Sequence, residues 1–500
     1  MKMTHIAAAC VAALAGVSAP AFARTACEAP QLQVHLCGAP APDNFIDTIA
    51  TGMFVGTKGT DWFKYLDNVD GKQQRAYFGT MKSTADIPAN LQGKKVLFIK
   101  RSTGGSVFGV NPVARGHKLA TLAVSATTCV AAGVDFKCSV VGTDPNAALP
   151  TGAGQMPDFG VSDVAPNLFK GPLNVEFGQS ALDPSEAANL TVAGVNVLAM
   201  GLAVTNAVPM STHFSRATYG ALLAGNINAW STLGVAPAAG DQVVACRRVP
   251  GSGTQTSYNW FFNNFPCATD SLAGSGSTQP ARMSDSAGYQ ASGSGTAADP
   301  YVIDVAAGYT VIENSTSGNV RDCMDKAAAG GVHTFKDEEG KSYKVDFGTG
   351  GYGAVGVLSV DSLNDDRSNA DATKWAKGPT AAATGYSFRA LDGAAAMYDT
   401  SNTSTLVVGT TGTTGILPTK ANLIEGNYEF ASELTMQYLS TLSGLKKDFA
   451  DFFIARAGDP AFNTNGWVAA LPPAYDPSTT PNVAKSTRFG NMCSPLQRLY

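Results

Sequence analysis

The sequence has few charged residues, few histidines and no concentrated basic segment. Asp, Glu, Lys and Arg make up 15% of its 500 residues, and the formal net charge is −4. Binding to nucleic acid or to an anionic membrane surface requires clustered Lys and Arg, so we expect neither. The 5 histidines are scattered and no Cys-x-x-Cys pair occurs, so we also expect no metal ion and no cofactor.

The sequence also lacks a membrane-spanning run at its start. Residues 6–16 are almost entirely apolar, but a run of this length is too short to cross a bilayer. Lys2 precedes the run, and Ala21-Phe22-Ala23 follows it as a small-x-small cleavage sequence. We therefore predict a secretory signal peptide with cleavage after Ala23 and a periplasmic location, and secretion beyond the periplasm stays open.

Eight cysteines follow the predicted cleavage site, and an even number in an exported chain indicates disulfide bonds. Closeness in the sequence favours four pairs, although other connectivities stay open. The favoured pairs are Cys27–Cys37, Cys129–Cys138, Cys246–Cys267 and Cys323–Cys493.

Strand-like and helix-like segments alternate along the chain, which predicts α/β sheets with helices on both faces. The uncharged stretch 191–209 contains polar residues and much Val, so we expect two buried strands or a strand pair rather than a membrane span. Two stretches resemble surface insertions: 274–299 is rich in Ser and Gly, and 364–384 is polar, with a solvated loop favoured over a calcium loop. The other predicted strands are 95–100, 242–246, 354–360 and 405–408, and the predicted helices are 44–54, 217–224, 257–265 and 430–442.

Three glycine-rich loops each follow a strand-like run and precede a helix-like one. They cover residues 102–106 (STGGS), 158–163 (DFGVSD) and 248–254 (RVPGSGT). Backbone N–H groups and hydroxyls at a helix start form an anion site, and Arg248 adds a fork of charged donors. Each loop alone is more typical of helix capping, and an arginine alone is more typical of an ion pair. Three such loops in one chain favour an anion-binding cleft.

These loops and three further segments resemble the phosphate-binding proteins of bacterial ABC phosphate transporters. DFGVSD is similar to that family's DFGASD, RRVPGSGT (247–254) to its R-x-x-G-S-G-T loop, and STGG (102–105) to its SSGG loop. CGAPAP (37–42) takes the place of the first ligand loop, LLAGNINAWSTLG (222–234) resembles the "GKIxxW" segment, and GAVGVLSVD (353–361) resembles the "GAIGYV" strand. The matches occur in the family's order over residues 37–440.

The resemblance implies an α/β periplasmic-binding-protein fold of class II type, with two lobes, two hinge crossings and ligand in the interlobe cleft. Lobe one would comprise residues 24–204 and 426–500, and lobe two residues 205–425, after a signal peptide over 1–23. The implied ligand is inorganic phosphate or a similar tetrahedral oxyanion, the implied partner is an ABC permease of the inner membrane, and the protein would be a monomer. The implied ligand-binding residues are Ala41, Ser102, Asp163, Arg248, Ser252, Gly253 and Thr254.

Two positions depart from the family pattern. Pro40-Ala41 replaces a Thr-Phe pair in the first loop, so only Ala41 offers an N–H there. Pro250 stands where family members often carry an acidic residue that orients the arginine.

Two other functions compete with solute binding. An exported phosphatase-like enzyme is one, but the sequence has no Gly-x-Ser-x-Gly elbow and no histidine placed by motif as a base, so we predict no catalytic residue. A surface or interaction protein derived from the phosphate-binding fold is the other, and the altered loop positions and the long insertions suit it.

Overall fold

The computed structural model describes most of the chain after residue 28. The described residues are 29–68, 71, 73–142, 154–171, 173–175, 180–209, 212, 214–267, 280–360, 385–391, 415–416, 418, 420–463, 468–470 and 479–499. The predicted signal peptide, Cys27, the predicted strand 405–408 and the predicted loop 364–384 lie outside them.

Strands and helices alternate through the described residues. The helices are α1 Asp43–Gly52, α2 Asn111–Arg115, α3 Pro184–Ala188, α4 Arg216–Leu223, α5 Gly253–Asn263, α6 Ser317–Ala329, α7 Lys420–Glu425 and α8 Gly444–Gly458. The strands are β1 Leu32–Gly38, β2 Trp62–Asp67, β3 Gln74–Thr80, β4 Lys95–Arg101, β5 Thr121–Leu122, β6 Cys129–Ala132, β7 Asp135–Cys138, β8 Val140–Val141, β9 Phe159–Ser162, β10 Leu190–Thr205, β11 Val244–Arg248, β12 Tyr301–Val302, β13 Thr310–Asn314, β14 Val332–Lys336, β15 Ser342–Asp346, β16 Ala354–Ser359, β17 Tyr386–Arg389, β18 Ala431–Leu439, β19 Val468–Ala469, β20 Ser486–Thr487 and β21 Gln497–Arg498.

One continuous sheet connects both halves of the molecule, in the order β13-β11-β16-β10-β18-β9-β1-β4-β3-β2-β7-β6. We call the part from β18 to β6 lobe one, and β13, β11 and β16 with the second half of β10 lobe two. Each lobe has a parallel centre, with β1 between β4 and β9 in lobe one and β11 between β13 and β16 in lobe two. The predicted α/β class is confirmed.

Strand β10 connects the two lobes. Its residues 190–199 pair with β18, and its residues 200–205 pair with β16 and β17. The expectation of two strands or a strand pair in this stretch is wrong. Gly194 produces a shift of register rather than a turn, so a single strand of 16 residues continues through it. The sequence-based lobe boundaries at residues 204 and 425 stay predictions.

Strand β18 occupies a stretch that the sequence predicts as helix, 430–442, so that prediction is wrong. Residues such as Leu434, Met436 and Gln437 favour helices weakly, and tertiary context readily overrides such a preference. Here β18 lies between β10 and β9 and hydrogen-bonds to both. Burial on both faces of the sheet also conceals the period-two pattern that marks a half-buried strand.

The other predicted elements differ from the structure mainly at their ends. Helix α5 begins four residues before its predicted start at residue 257, because Ser252 caps it. Strand β11 lies two residues later than predicted and therefore includes Arg248. The sequence predicts a surface insertion over 274–299. The described part of it, 280–299, forms turns and a short 3-10 helix at Met283–Asp285.

Disulfide bonds occur in lobe one, in lobe two and at the C-terminal segment. Cys129–Cys138 confirms one predicted pair. The predicted pairs Cys246–Cys267 and Cys323–Cys493 are wrong, because the bonds are Cys246–Cys323 and Cys267–Cys493. Cys37, predicted to pair with Cys27, carries a free and buried thiol that donates to the carbonyl oxygen of Phe108 at 2.8 Å.

Helix α8 packs an aromatic layer against the strands of lobe one. Phe453 lies with its ring centroid 5.0 Å from that of Phe98 on β4 and 5.8 Å from that of Phe159 on β9. This layer fixes the strands whose ends carry the loops described next. Among the described residues, no helix combines the length and the apolar character needed to cross a membrane.

Candidate functional site

The candidate ligand segments lie at the carboxyl ends of strands. The predicted loop over 158–163 is wrong, because Phe159–Ser162 forms strand β9 itself and only Asp163 follows it. The loop that contains Ala41 follows β1, the 102–106 loop follows β4, and Asp163 follows β9. In lobe two, β11 leads into the loop before α5. Open α/β sheets bind ligands outside the carboxyl ends of their strands, so this edge is the candidate site.

Asp163 is fully buried between the two lobes. Its Oδ2 accepts a hydrogen bond from Thr254 Oγ1 at 2.9 Å, and its backbone N–H donates to Ser106 Oγ at 3.2 Å. Its Oδ1 is buried and accepts no hydrogen bond of acceptable geometry from the residues that the structure describes, although the Ser106 hydroxyl lies close to the carboxylate. Burial raises the pKa of the Asp163 carboxyl to about 6, although the hydroxyls of Thr254 and Ser106 and two nearby cations favour the charged form and oppose the shift. The two cations are Arg248 and Lys100.

The common alternative role for such a residue, a helix N-cap, does not apply to Asp163. The next helical turn is the 3-10 helix Pro166–Leu168, and Ala165 occupies its N-cap position. A buried carboxylate oxygen without a hydrogen bond is costly unless something else satisfies it. Asp163 therefore has the properties of a ligand-facing group.

Arg248 lies at the end of β11 and is fully buried. Its guanidinium donates to the carbonyl oxygens of Asn314 (3.2 Å) and Ser315 (2.7 Å) and to Ser317 Oγ (3.1 Å). These groups come from the end of β13 and the start of α6, and they hold the guanidinium in place without an acidic residue at position 250, which is Pro250. The Cys246–Cys323 bond ties β11 to α6 and so fixes the same geometry.

The N-terminus of α5 faces Asp163. Ser252 caps the helix, and its Oγ accepts from the Gln255 N–H at 3.4 Å, so the capping role expected of a single loop is present. Gly253, the first helical residue, touches lobe one so closely that an added Cβ would lie 2.2 Å from Ser106 Oγ and 2.9 Å from Asp163 Cβ. Only glycine fits there.

The two lobes are in direct contact around these residues. The Val107 N–H of lobe one donates to the Gly251 carbonyl oxygen of lobe two at 3.0 Å. Gly105, with a positive φ of 82°, passes so close to lobe two that an added Cβ would lie 3.3 Å from Arg248 Nη2. The structure thus brings together Asp163, Arg248, Ser252, Gly253 and Thr254 of the predicted set.

Ser102 and Ala41 belong to an adjoining network in lobe one. Ser102 Oγ lies 2.8 Å from both carboxylate oxygens of Asp43 and 2.9 Å from Lys100 Nζ. Lys100 Nζ also donates to the carbonyl oxygen of Ala39, in the loop that contains the buried Ala41. Gly105 N–H donates to the Ser102 carbonyl oxygen at 3.3 Å and so links this network to the Arg248 contact.

Sequence reasoning missed Ser106, Asp43 and Lys100. A signal for Lys100 was present, because it follows Val96 and Phe98 at intervals of two and therefore lies on the same face of β4. Ser106 and Lys100 are fully buried, and Asp43 is buried with 7% of its surface exposed. Ser106 ends the STGGS loop itself, and Asp43 begins α1. No group of three or more His, Cys, Asp or Glu side chains arranged for metal binding occurs within the described part of the chain.

Comparisons with known proteins give similarity in structure alone. No family model matches the chain, and no curated protein matches it. A candidate phosphate ABC transporter substrate-binding protein with bound phosphate from Clostridium perfringens is similar at 12% identity and a TM-score of 0.38, over 84% of this chain and 92% of that chain.

Two further solved structures are similar to a comparable degree. An ABC-type phosphate transport receptor from Vibrio cholerae has 11% identity and a TM-score of 0.34, over 84% of this chain and 93% of its own. PstS from Borrelia burgdorferi has 10% identity and a TM-score of 0.33, over 86% and 98%. Because these identities and TM-scores are low, the site is assigned from the residues of this chain alone.

Proposed function

We propose that this protein is an exported solute-binding protein that captures inorganic phosphate, or a similar tetrahedral oxyanion, between its two lobes. One observation supports this most: the buried Asp163 carboxylate lies beside the N-terminus of α5 and near the guanidinium of Arg248. Its Oδ1 accepts no hydrogen bond of acceptable geometry from the described residues. A site of this composition suits an anion that also carries a proton.

The attraction for the anion comes from lobe two. Backbone N–H groups at the start of α5 lie at the positive end of the helix dipole, and Arg248 supplies a formal charge that water cannot screen in a buried position. Arg248, Ser252, Gly253 and Thr254 are the proposed ligand residues of this lobe. Ala41, Ser102 and Asp163 are those of lobe one.

The selection between anions comes from Asp163. Hydrogen phosphate can donate its proton to the carboxylate, whereas sulfate has none and would place lone pairs against lone pairs. A site whose buried polar group stays unpaired with the wrong ligand can reject that ligand by about 10⁴-fold. Arsenate keeps a proton and would be accepted. This filter requires an ionised Asp163, which a pKa of about 6 allows at neutral pH.

Delivery to an ABC permease completes the proposal. It is supported by the signal-peptide pattern over residues 1–23 and by the ordered matches to the phosphate-binding proteins. The protein would act in the periplasm as a monomer, without a cofactor and without catalysis.

The direct test measures phosphate binding by calorimetry and thermal unfolding. Saturating phosphate should raise the melting temperature by mass action, while an equal concentration of chloride should not. Incubation of the same preparation with a chromogenic phosphate ester should release no product. The proposal fails if millimolar phosphate neither binds nor stabilises, and turnover of the ester would favour the phosphatase-like enzyme instead.

A further inference from the structure

Ser102, one of the proposed ligand residues, is already hydrogen-bonded to a carboxylate of the chain itself, that of Asp43. Asp43 lies 2.8 Å from Ser102 Oγ through each of its carboxylate oxygens. A serine hydroxyl has one hydrogen, and a carboxylate can only accept, so Ser102 donates that hydrogen to Asp43. In this arrangement Ser102 has no hydrogen left for a bound anion.

Lys100 fixes this arrangement from the other side. It is fully buried, and its Nζ lies 2.9 Å from Ser102 Oγ and 3.3 Å from Asp43 Oδ1. It also lies within hydrogen-bond distance of the carbonyl oxygens of Gly38, Ala39 and Arg101. An ammonium has three hydrogens, and these acceptors consume them. Lys100 is therefore a positioning residue that has no donor to offer a ligand.

The charges around Ser102 favour an anion at this point. Arg75 Nη2 lies 3.0 Å from Asp43 Oδ2, so Asp43 stands against two cations, Lys100 and Arg75. Asp43 is also the first residue of α1, where the helix dipole favours negative charge. The chain itself supplies the anion that this environment attracts, immediately beside the loop that carries Ala41.

We propose that Asp43 is an internal competitor that sets the affinity of the site. A bound oxyanion can use the Ser102 hydroxyl only by taking its hydrogen from Asp43, and the Asp43 charge repels the ligand throughout. Asp43 thus lowers affinity for every oxyanion by a similar factor, whereas Asp163 discriminates between them. This inference rests on the proposed function and adds the residue that tunes its strength.

The experiment is a double-mutant cycle on phosphate affinity, measured by calorimetry at low ionic strength. The variants are Asp43→Asn, Ser102→Ala and the double variant. Asp43→Asn should tighten phosphate binding by about tenfold, since it removes a nearby like charge and leaves only a neutral amide oxygen, a weaker acceptor, for the Ser102 hydroxyl. Ser102→Ala should weaken wild-type binding less than about threefold, although a hydrogen bond to a charged ligand usually contributes about tenfold or more. In the double variant the gain from Asp43→Asn should shrink to less than about threefold.

Asp135→Asn is the matched control. Asp135 lies on β7 of the same lobe and outside the glycine-rich segments, its side chain is 23% exposed against 11% for Asp43, and it also pairs with a lysine, Lys58. The same loss of charge away from Ser102 should leave phosphate affinity unchanged. Sulfate and arsenate affinities should rise with phosphate affinity in Asp43→Asn.

Several outcomes would overturn the inference. Weaker or unchanged phosphate binding in a folded Asp43→Asn variant would do so. An equal gain in the Ser102→Ala background or in Asp135→Asn would also do so. If Asp43→Asn does not fold, a tenfold loss in Ser102→Ala alone contradicts the inference, because it shows that the hydroxyl is already available. Binding by Asp43→Asn where wild type binds nothing would support the inference, and absence of binding in both would remove the proposed function as well.

Discussion

Removal of the Arg248 side chain should abolish most of the attraction for an anion. The side chain is fully buried, and its guanidinium donates hydrogen bonds to Asn314, Ser315 and Ser317, so bulk water cannot replace it. Truncation of a buried, hydrogen-bonded charge typically costs about 2–5 kcal/mol of affinity, or about 30-fold to several thousand-fold. Because the guanidinium is already oriented in the absence of a ligand, we expect the upper half of this range.

The assay is a phosphate titration of Arg248→Ala and Arg248→Lys by calorimetry. The lysine variant should recover only part of the affinity, since an ammonium lacks the planar fork. Arg248→Ala also leaves the Ser315 carbonyl oxygen without its donor, whereas the Asn314 carbonyl oxygen keeps the Val249 N–H. The ligand-free protein should therefore lose about 1–3 kcal/mol of unfolding free energy. Arg456→Ala is the control: Arg456 is also buried and pairs with Asp86, and its loss should reduce stability without a change in phosphate affinity. Wild-type affinity in a folded Arg248→Ala protein would refute this placement of the site.

Three further predictions follow from the same geometry. Gly253→Ala puts a methyl group 2.2 Å from Ser106 Oγ of lobe one, so it should weaken phosphate binding in calorimetry. Gly220→Ala is the control, because its added methyl group would lie 3.6 Å from the nearest atom and should leave affinity unchanged. Equal phosphate affinities of the two variants would contradict the contact. The raised pKa of Asp163, about 6, means that the folded state binds more protons than the unfolded state between about pH 4 and pH 6, so stability falls as pH rises through this window. Ligand-free Asp163→Asn should accordingly be more stable than wild type above pH 6, on the order of 3 kcal/mol by denaturant titration. A difference in stability that does not depend on pH would argue against the shift. Peptide mapping of exported protein without reduction should recover Cys267 linked to Cys493, and free thiols at both positions would refute that bond.

The sequence predicts those parts of the fold and the site that local chemistry determines. The run from Arg248 to Thr254 follows a strand and starts a helix, and each step has a local signal in apolar residues, glycines and a capping serine. Asp163 follows a strand in the same way, and its neighbours Gly160 and Ser162 allow the close approach of other loops. The α/β class follows from the same alternation.

The sequence could not predict features that depend on which strands become neighbours. Strand β18 has the composition of a helix and becomes a strand because β10 and β9 lie on either side of it. Cys246 pairs with Cys323, 77 residues away, because α6 packs against β11, and closeness in the sequence carries no information about this. The link between Asp43 and Ser102 likewise joins residues brought together by the parallel pairing of β1 with β4.

The most direct test of the central claim is a competition titration of wild type and Asp163→Asn with phosphate, arsenate and sulfate at pH 7.5. The proposed function predicts that wild type binds phosphate and arsenate and rejects sulfate by about 10⁴-fold, because only the first two can donate a proton to the unpartnered Oδ1. Asparagine has the same shape as aspartate but carries an N–H₂ donor. Sulfate should therefore bind to Asp163→Asn, while phosphate affinity falls modestly or not at all. Sulfate binding by wild type as tight as phosphate binding, or undiminished discrimination in the variant, would contradict the account.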